Sequence, residues 1–488
     1  MGDTMSIAEA GYGPNLSRSF LDPEIVQRVL KISDFVVLFI GTAALVLQSA
    51  LALEPDSATM MTFGAMVMVF SSLLALRSVG AYDIRSLIQP VRSTLIATGF
   101  TILAGTAGFV LTRTLMYDLP AAWLAGWMLI PALHFSISRV ATASWLKPRV
   151  ASGMLRQRIA IVGGGKAAEE AINILEGSAN LDIEIVGLFD DRDDKRSPAS
   201  VRAHRKLGRI GELAVHARQN RIDLVVVAIP LSAEERLLQV LNRLWELPVD
   251  IRISGQSSKL RFAPTAYEYL GDLPMLSVFD RPLAGWSAIL KSAMDRVIGL
   301  LAIIALSPLM LATAVAIRLE SKGPVLFKQK RYGFNNELVE VWKFRSMYTD
   351  MSDANAVKLV TRDDPRVTRV GRFIRKTSID ELPQLFNVVK GELSLVGPRP
   401  HATQAKAATE LYEQVVDGYF ARHKVKPGIT GWAQINGWRG ETDTHDKIAN
   451  RVKYDLEYID RWSIWLDLRI LIKTPFALLS PANKAGAY

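Results

Sequence analysis

The sequence predicts a multi-domain membrane protein with a four-helix transmembrane bundle, a Rossmann-like α/β middle domain, and a re-entrant membrane helix followed by a mainly α domain. Three observations predict this architecture. Four apolar runs occupy the first third of the 488 residues, alternating strand and helix patterns follow, and a fifth apolar run with a central proline precedes a basic last third. At about 100–200 residues per domain, the length also suggests about three units.

Composition excludes several classes of protein. The chain has no cysteine, which rules out disulfide scaffolds, cysteine-ligated zinc, iron–sulfur clusters and thiol nucleophiles. Its six histidines show no H-x-x-x-H spacing, which disfavours a histidine-rich metal site. The formal net charge of +10 favours an anionic partner, such as a phosphorylated substrate, an acidic lipid or nucleic acid.

The first four apolar runs each approach the ~20 residues that cross a bilayer. They are Phe35–Leu53, Ala58–Leu76, Thr94–Thr112 and Ala121–Ile137. We expect an N-terminal arm over 1–31 and a bundle over 32–140. Lysine and arginine concentrate in the arm, in the second connection and after the fourth run, which predicts cytoplasmic ends for the bundle. His134 is expected to face the bundle interior, and no charge pair is expected across the runs.

The fifth apolar run, Val297–Ile317, has basic residues on both sides and Ser307-Pro308 near its centre. A proline inside a helix removes one backbone hydrogen bond and kinks the helix. Equal charge on both flanks does not favour crossing in either direction. The pattern therefore predicts a helix–break–helix over 287–320 that enters and leaves on the cytoplasmic side, with Ser307 bonding to the freed backbone. An ordinary fifth span with a kink is the alternative.

Residues 158–256 alternate between strand and helix patterns, which predicts a parallel sheet with crossover helices. The expected strands are Arg158–Val162, Ile183–Phe189, Leu224–Ile229 and Val249–Ile253, with helices up to Leu175 and over Ala233–Leu247. Gly163-x-Gly165-x-x-Ala168 matches a dinucleotide fingerprint, but Asp190 and Asp191 fit loosely as its ribose-binding acid. Nucleotide binding and a structural or dimerising role both stay open. A connector is expected over 257–286.

The last segment, 321–488, carries 27 basic and 19 acidic residues. It contains no zinc finger, helix-turn-helix or aromatic RNA motif, so nucleic acid is not the expected partner. Membrane lipid headgroups and phosphorylated substrates fit this charge better.

A pair of adjacent acids lies in this segment. Ser378 and Glu381 have the spacing of a capping box, and Gly391 is a plausible helix stop. This places Asp380 in a first helical turn, where one acid can attack phosphorus while the other holds Mg²⁺. A plain capped helix with acidic residues in its first turn is the alternative.

The run from Lys376 to Pro400 closely resembles bacterial polyprenyl-phosphate sugar-1-phosphate transferases. Further matching blocks are Lys291-x-x-x-Asp295, Gly323-Pro324 with Gln329 and Arg331, Lys343-Phe-Arg-Ser-Met347, Lys426-Pro-Gly-Ile-Thr-Gly-Trp432, and Tyr454-Asp-Leu-x-Tyr458 with Trp462 and Asp467. The resemblance covers 291–474. The bundle and middle domain resemble the long, exopolysaccharide-initiating branch of this family, which includes undecaprenyl-phosphate glucose phosphotransferases.

The resemblance implies transfer of a hexose-1-phosphate, with glucose the expected hexose, from a UDP-sugar to undecaprenyl phosphate with release of UMP. It implies Asp380 as nucleophile and Glu381 as the Mg²⁺ ligand. Phosphate-binding roles are implied for Lys343, Arg345, Arg375 and Arg399. The expected location is the bacterial inner membrane, with the catalytic domain 321–488 on the cytoplasmic face. A homodimer is compatible with this picture.

Two other functions are the alternatives. A membrane-bound, NAD-dependent nucleotide-sugar dehydratase would need Tyr-x-x-x-Lys, and none of the twelve tyrosines has lysine four residues later. A non-catalytic scaffold of a polysaccharide assembly complex would not need the acid pair with its arginines. The sequence does not distinguish glucose from galactose as the hexose.

Overall fold

The computed structural model describes eleven stretches of the chain, and the account below concerns them alone. They are residues 23–50, 55–115, 121–178, 182–192, 200–255, 268–349, 364–401, 406–407, 410–411, 418–440 and 444–479. The chain divides into two compact units at residue 157.

The first unit is a bundle of four long helices. These are α1 (Pro23–Ala50), α2 (Pro55–Ser78), α4 (Pro90–Leu115) and α5 (Ala121–Ala151), with the short α3 (Ile84–Leu87) between the second and third. Each long helix packs on the next, and α5 returns to α1. Three of them are long and apolar enough to cross a membrane, and α2 contributes a shorter apolar stretch, Thr62–Ser78. The four predicted helices are therefore present, and α1 and α5 extend well beyond the apolar runs.

A buried ion pair joins two helices of this bundle, contrary to the sequence expectation. Asp34 on α1 is fully buried and accepts hydrogen bonds from Arg139 Nη2 at 2.7 Å and from His134 Nε2 at 2.8 Å. His134 thus faces the interior, as expected. The Asp34–Arg139 pair was missed because its members lie 105 positions apart, and no local pattern relates them.

The middle domain is a mixed eight-stranded sheet with helices packed on it. Its strands are β1 (Gln157–Val162), β2 (Ile183–Phe189), β3 (Ser200–Val201), β4 (His204–Gly208), β5 (Leu224–Val227), β6 (Asp250–Ser254), β7 (Glu268–Leu270) and β8 (Leu273–Phe279). Its helices are α6 (Lys166–Gly177), α7 (Ile210–Gln219) and α8 (Glu234–Leu244). The strand order is β3-β4-β2-β1-β5-β6-β8-β7. The central strand β5 is buried at every position, as in parallel sheets covered on both faces.

The segment expected to be a connector instead completes this sheet. Within 257–286, β8 pairs antiparallel with β6, with Ile253 opposite Leu276, and β7 pairs with β8. The sheet is therefore not wholly parallel. Its last two strands form a hairpin, which needs no crossover helix and so lacks the alternation used to recognise the others.

The remaining elements form a mainly helical domain. It contains α9 (Gly285–Glu320), β9 (Leu326–Tyr332), β10 (Leu338–Phe344), α10 (Arg369–Thr377), a 3₁₀ turn (Ile379–Glu381), α11 (Gln384–Lys390), β11 (Ser394–Val396), β12 (Lys406–Ala407), β13 (Glu410–Leu411), a 3₁₀ segment (Tyr419–Lys424), β14 (Gly428–Thr430), α12 (Trp432–Ile435), α13 (His445–Asp460) and α14 (Ile464–Leu479). β9 and β10 form an antiparallel hairpin, and β11 pairs parallel with β14.

Helix α9 is continuous through Pro308, so the predicted break is not an interruption of the helix. At 1.5 Å per residue its 36 residues span about 54 Å. The Ser307 hydroxyl donates to the Ile304 carbonyl at 2.8 Å, the carbonyl four residues before proline. Ser307 therefore supplies the hydrogen bond that Pro308 cannot make, as expected. This replacement hydrogen bond lets the helix continue.

The first half of α9 is fixed to the domain by a buried polar junction. Lys291 Nζ lies 2.7 Å from Asp467 on α14 and 3.1 Å from Asp295. Asp295 in turn accepts a hydrogen bond from the Ser394 hydroxyl on β11 at 2.7 Å. Because Gly299 lies against Val388 of α11, the helix that follows the acid pair packs directly on α9.

Candidate active site

The acid pair lies in the 3₁₀ turn Ile379–Glu381, and the capping-box expectation for it is wrong. Ser378 adopts φ +59°, in the left-handed region, and its side chain caps no helix. Its hydroxyl instead accepts a hydrogen bond from Arg439. A capping residue needs extended backbone angles, and Ser378 cannot have them while it ends α10. The predicted stop at Gly391, with φ +90°, is confirmed.

Glu381 is held between two cations. Lys343 from β10 donates to its carboxylate at 3.2 Å, and Arg399 donates through both terminal nitrogens, at 2.5 and 3.2 Å. Although burial opposes ionisation, Arg399 and Lys343 hold the pKa of Glu381 well below its usual range. Glu381 is therefore a fixed anion that orients Lys343 and Arg399.

Asp380 is in the opposite electrostatic state. Among the described residues its carboxylate has no hydrogen bond or ion pair, and it lies half-buried beside charges that include Lys343 and Arg375. Burial, together with neighbouring Glu381, raises the pKa of Asp380 to about 6, against the lowering effect of Lys343. Asp380 is thus an unpaired carboxylate, which is what a nucleophile requires.

The structure separates Arg345 from the other predicted phosphate ligands. Arg345 is buried, with 4% of its surface exposed, and donates to the carbonyls of Ser321 at 2.9 Å and Lys322 at 2.6 Å. These bonds tie the end of α9 to the end of β10. Lys343, Arg375 and Arg399 do lie around the acid pair, since each acts on the pKa of Asp380.

Two further arginines belong to this cluster. Arg439 acts electrostatically on both acids and on Arg399, and burial is the main cause that lowers its pKa. Arg331 donates to the Pro400 carbonyl at 2.6 Å, and burial together with Arg399 lowers its pKa to about 10. Arg331 stood in a matching block but was not assigned a role. The sequence signal that could have pointed to Arg439 is its position between two glycines, Gly437 and Gly440, and both of them adopt positive φ.

A buried polar network supports the arginines from behind. Arg422, fully buried, donates to Asp455 at 2.6 Å and to the Arg399 carbonyl at 2.7 Å. Arg451 donates to the Trp438 and Gly440 carbonyls, both at 2.8 Å, on either side of Arg439. The network therefore fixes the backbone that carries Arg399 and Arg439.

The acid pair fits a magnesium ion only in combination with substrate. Among the described residues no group of three or more acidic, histidine or cysteine side chains converges to hold a metal. Mg²⁺, however, is often held by one or two carboxylates plus substrate phosphate oxygens. Asp380 offers unpaired oxygens, whereas Glu381 already accepts from Lys343 and Arg399. The oxygen donors of the acid pair therefore fit Mg²⁺, and the Glu381 oxygens would be shared between the ion and the cations Lys343 and Arg399.

In the middle domain, the acids expected for a ribose are already engaged. Arg192 donates to Asp190 at 2.8 Å and to the Gly164 carbonyl at 2.8 Å, so its guanidinium links the acid to the glycine loop. Asp191 accepts from Arg236 at 2.9 Å and from Arg243 at 3.0 Å. This arrangement favours a structural role for the loop.

Comparison with known proteins agrees with this site. The model of the bacterial sugar transferase family matches residues 286–481, and a model described as a CoA-binding domain matches 77–255. An undecaprenyl-phosphate glucose phosphotransferase of Komagataeibacter xylinus is 44% identical over 321 residues, 66% of this chain and 58% of that relative. A UDP-glucose:undecaprenyl-phosphate glucose-1-phosphate transferase of Escherichia coli K12 is 38% identical over 357 residues, 72% and 74% of the two chains.

A shorter relative is matched over nearly its whole length. The exopolysaccharide production protein PSS of Rhizobium leguminosarum bv. phaseoli is 47% identical over 186 residues, which are 38% of this chain and 93% of that protein. Apolar helices, a carboxylate pair and a cluster of arginines together define a membrane-associated transferase of phosphorylated groups. The chain belongs to the bacterial sugar transferases, within the polyprenyl-phosphate hexose-1-phosphate transferase family.

Proposed function

We propose that this protein transfers glucose-1-phosphate from UDP-glucose to undecaprenyl phosphate, releases UMP, and so initiates assembly of an exopolysaccharide or other surface glycan. The observation that carries the proposal is the contrast between two adjacent acids. Glu381 is paired with Lys343 and Arg399, while Asp380 is unpaired among the described residues. The Komagataeibacter and E. coli relatives act on undecaprenyl phosphate, and the E. coli relative acts on UDP-glucose.

In the proposed first step, an Asp380 oxygen attacks the β-phosphorus of the UDP-sugar. The new oxygen–phosphorus bond replaces the bond to UMP, which leaves with the electron pair. In the second step an oxygen of undecaprenyl phosphate attacks the same phosphorus and releases the Asp380 carboxylate. Because both substrates are polyanions, Lys343, Arg399 and Arg439 offset their charge in each step. Bound Mg²⁺ would neutralise phosphate oxygens beside Asp380 and Glu381.

The same proposal places the site at the cytoplasmic face of the bacterial inner membrane. In this proposal α9 bends at Pro308 in the bilayer, so that it would enter the membrane and return to the side it came from. Exposed apolar side chains support contact of this domain with lipid, namely Trp465, Ile472 and Phe476 on α14 and Phe373 on α10. α10 also exposes Arg369 and Arg372, which suit anionic headgroups.

Product analysis tests the reaction. The purified full-length protein is incubated with undecaprenyl phosphate, Mg²⁺ and, separately, UDP-glucose or UDP-galactose. We expect UMP and a lipid-linked sugar diphosphate from UDP-glucose, and a loss of several orders of magnitude in Asp380→Asn, which keeps the shape of the side chain. Release of UDP would instead indicate an ordinary glycosyltransferase.

Kinetics and trapping test the covalent step. Initial rates with both substrates varied should give the parallel lines of a ping-pong mechanism, and labelled sugar phosphate should remain on the protein when lipid is omitted. Asp380→Asn is the matched control and should retain no label. Intersecting lines with near-normal turnover by Asp380→Asn would establish direct transfer.

A further inference from the structure

The middle domain and the catalytic domain meet at the 3₁₀ segment Tyr419–Lys424. This segment belongs to the catalytic domain, but its last residue contacts two aromatic rings of the middle domain. Lys424 Nζ lies 5.4 Å from the centre of the Trp245 ring and 5.6 Å from the centre of the Phe279 ring. Trp245 follows α8 directly, and Phe279 ends β8. Both distances are within the range of a cation–π interaction, so the middle domain holds the end of the segment.

Trp245 also contacts the start of the segment. Gly418, immediately before it, has φ +75°, and a Cβ at this position would collide with the Trp245 ring. Only glycine adopts this backbone readily and leaves the space that the ring occupies. Between the two ends, the Arg218 guanidinium carbon on α7 lies 5.7 Å from the centre of the Phe420 ring. One indole ring therefore packs against both ends of the segment, which fixes the position of the segment relative to α8.

Other side chains of the segment support the active site. Arg422 is fully buried and donates to the Arg399 carbonyl at 2.7 Å and to Asp455 at 2.6 Å. The Tyr419 hydroxyl and Nδ1 of His401, two residues after Arg399, are 2.8 Å apart. Because these groups form one buried network, a displacement of the segment would shift the backbone that carries Arg399.

We propose that Trp245 is a positioning residue, which acts through the segment Tyr419–Lys424 on Arg399. The inference rests on the proposed function, in which Arg399 offsets the charge of the substrates. Trp245 supplies no group to the reaction. It holds the segment against α8, and Arg422 passes this position to the Arg399 carbonyl, so that the guanidinium keeps its bonds to Glu381. A catalytic group misplaced by about 1 Å can cost about 10²-fold in rate. The middle domain therefore adjusts the rate of transfer without taking part in the chemistry.

Steady-state kinetics of full-length Trp245 variants test this role. With both substrates saturating, Trp245→Ala should lower kcat about tenfold and leave KM for UDP-glucose within about twofold, because Arg399 stabilises charge that develops during the reaction. Trp245→Phe keeps a ring against Gly418 and Lys424 and should restore at least about half of kcat. Tyr269→Ala is the matched control. It removes an aromatic ring of the same domain that is 62% exposed, and it should leave kcat unchanged.

A double-mutant cycle separates positioning from a general loss of fold. In the Arg399→Ala background, Trp245→Ala should cause less than about a twofold further loss, because the group that it positions is gone. Lys424→Met is a second variant, which keeps the length of the side chain and removes its charge. It should lower kcat about threefold and should likewise have no effect without Arg399. A tenfold loss on Trp245→Ala in both backgrounds, or unchanged kcat in Trp245→Ala and Lys424→Met, would overturn the proposal.

Hydrogen–deuterium exchange provides a readout that does not need the reaction. Trp245→Ala should speed amide exchange at least about twofold in peptides that cover 418–425 and 396–401, while exchange in β9 stays unchanged. Unchanged exchange in the first two peptides would also overturn the proposal. If the unsubstituted protein forms no lipid product, the proposed reaction is wrong, and the exchange result still decides whether Trp245 positions the backbone of Arg399.

Discussion

Two neighbouring carboxylates differ because of their surroundings and not because of their chemistry. Glu381 reaches Lys343 and Arg399, which stabilise its charge, whereas Asp380 is half-buried without a direct partner among the described residues. Environments that push two acids apart in pKa are typical of sites where the acids have different roles.

The raised pKa of Asp380 predicts how activity depends on pH. Only the ionised carboxylate attacks, and half of it is ionised at about pH 6, compared with the usual 3.8 for aspartate. We expect kcat/KM for the UDP-sugar to fall tenfold per pH unit below about 6 and to level off above it. A profile that stays flat down to pH 5 would contradict this role for Asp380.

The same shift has a consequence for stability. Because the folded pKa of Asp380 exceeds the unfolded value, the folded state binds the proton more tightly, and ionised Asp380 destabilises the fold above about pH 6. Asp380→Asn should therefore raise the unfolding temperature at pH 8, and the gain should shrink towards pH 5. Glu381→Gln, which removes a stabilised charge, is the control and should lower it at pH 8.

Alanine substitutions of Arg399 and Arg345 should have different effects, the first on activity and the second on stability. Arg399→Ala removes a charge at the acid pair and should reduce kcat roughly 10²–10³-fold, the usual cost of losing an electrostatic stabiliser. Arg345→Ala leaves the carbonyls of Ser321 and Lys322 without their donor and should cost about 1–3 kcal/mol of stability. Thermal unfolding together with steady-state kinetics separates the two effects. A normal unfolding temperature with a raised KM in Arg345→Ala would restore it as a substrate ligand.

At the scale of elements, regular patterns were predictable and backbone exceptions were not. The strand Ile183–Phe189 was predicted with its observed bounds, because its apolar run ends at turn residues. The capping box was wrong because Ser378 ends α10 with left-handed angles and its hydroxyl accepts from Arg439, 61 positions away. The contacts of Arg345 were not predictable from local patterns either, since its partners lie at the far end of α9.

Helix α9 carries the topology prediction. Single cysteines can be introduced into this cysteine-free chain and labelled with a membrane-impermeant reagent. Lys322→Cys, just after α9, should stay unlabelled from outside the cell, because in the proposed topology the helix returns to the cytoplasmic side. Glu54→Cys is the matched control and should be labelled, since the first loop is expected outside. Labelling at Lys322 would make α9 an ordinary span.

For the molecule as a whole, the middle domain should be dispensable for chemistry. The bacterial sugar transferase match covers residues 286–481 and so begins after the last strand of the sheet. Replacing 158–279 with a flexible linker should therefore leave measurable transfer of sugar phosphate. The shorter deletion of 158–256 is the control and should fold poorly, because it leaves β8 without β6. Complete loss of activity in a folded 158–279 deletion would assign the sheet a direct role.

In the proposed topology, the close approach of α9 and α11 at Gly299 sets the height of Asp380 above the bilayer. A Cβ there would lie 3.3 Å from Val388, so α9 and α11 pack closely at this position. One residue inserted between Gly299 and Ser307 would turn the far half of α9 by about 100° and advance it by 1.5 Å, leaving the buried anchor at Lys291 in place. In the proposed reaction, this packing would set the depth at which a lipid phosphate meets Asp380. Because this depth concerns the phosphate headgroup and not the polyprenyl tail, polyprenyl phosphates of different chain lengths should serve as acceptors with similar efficiency.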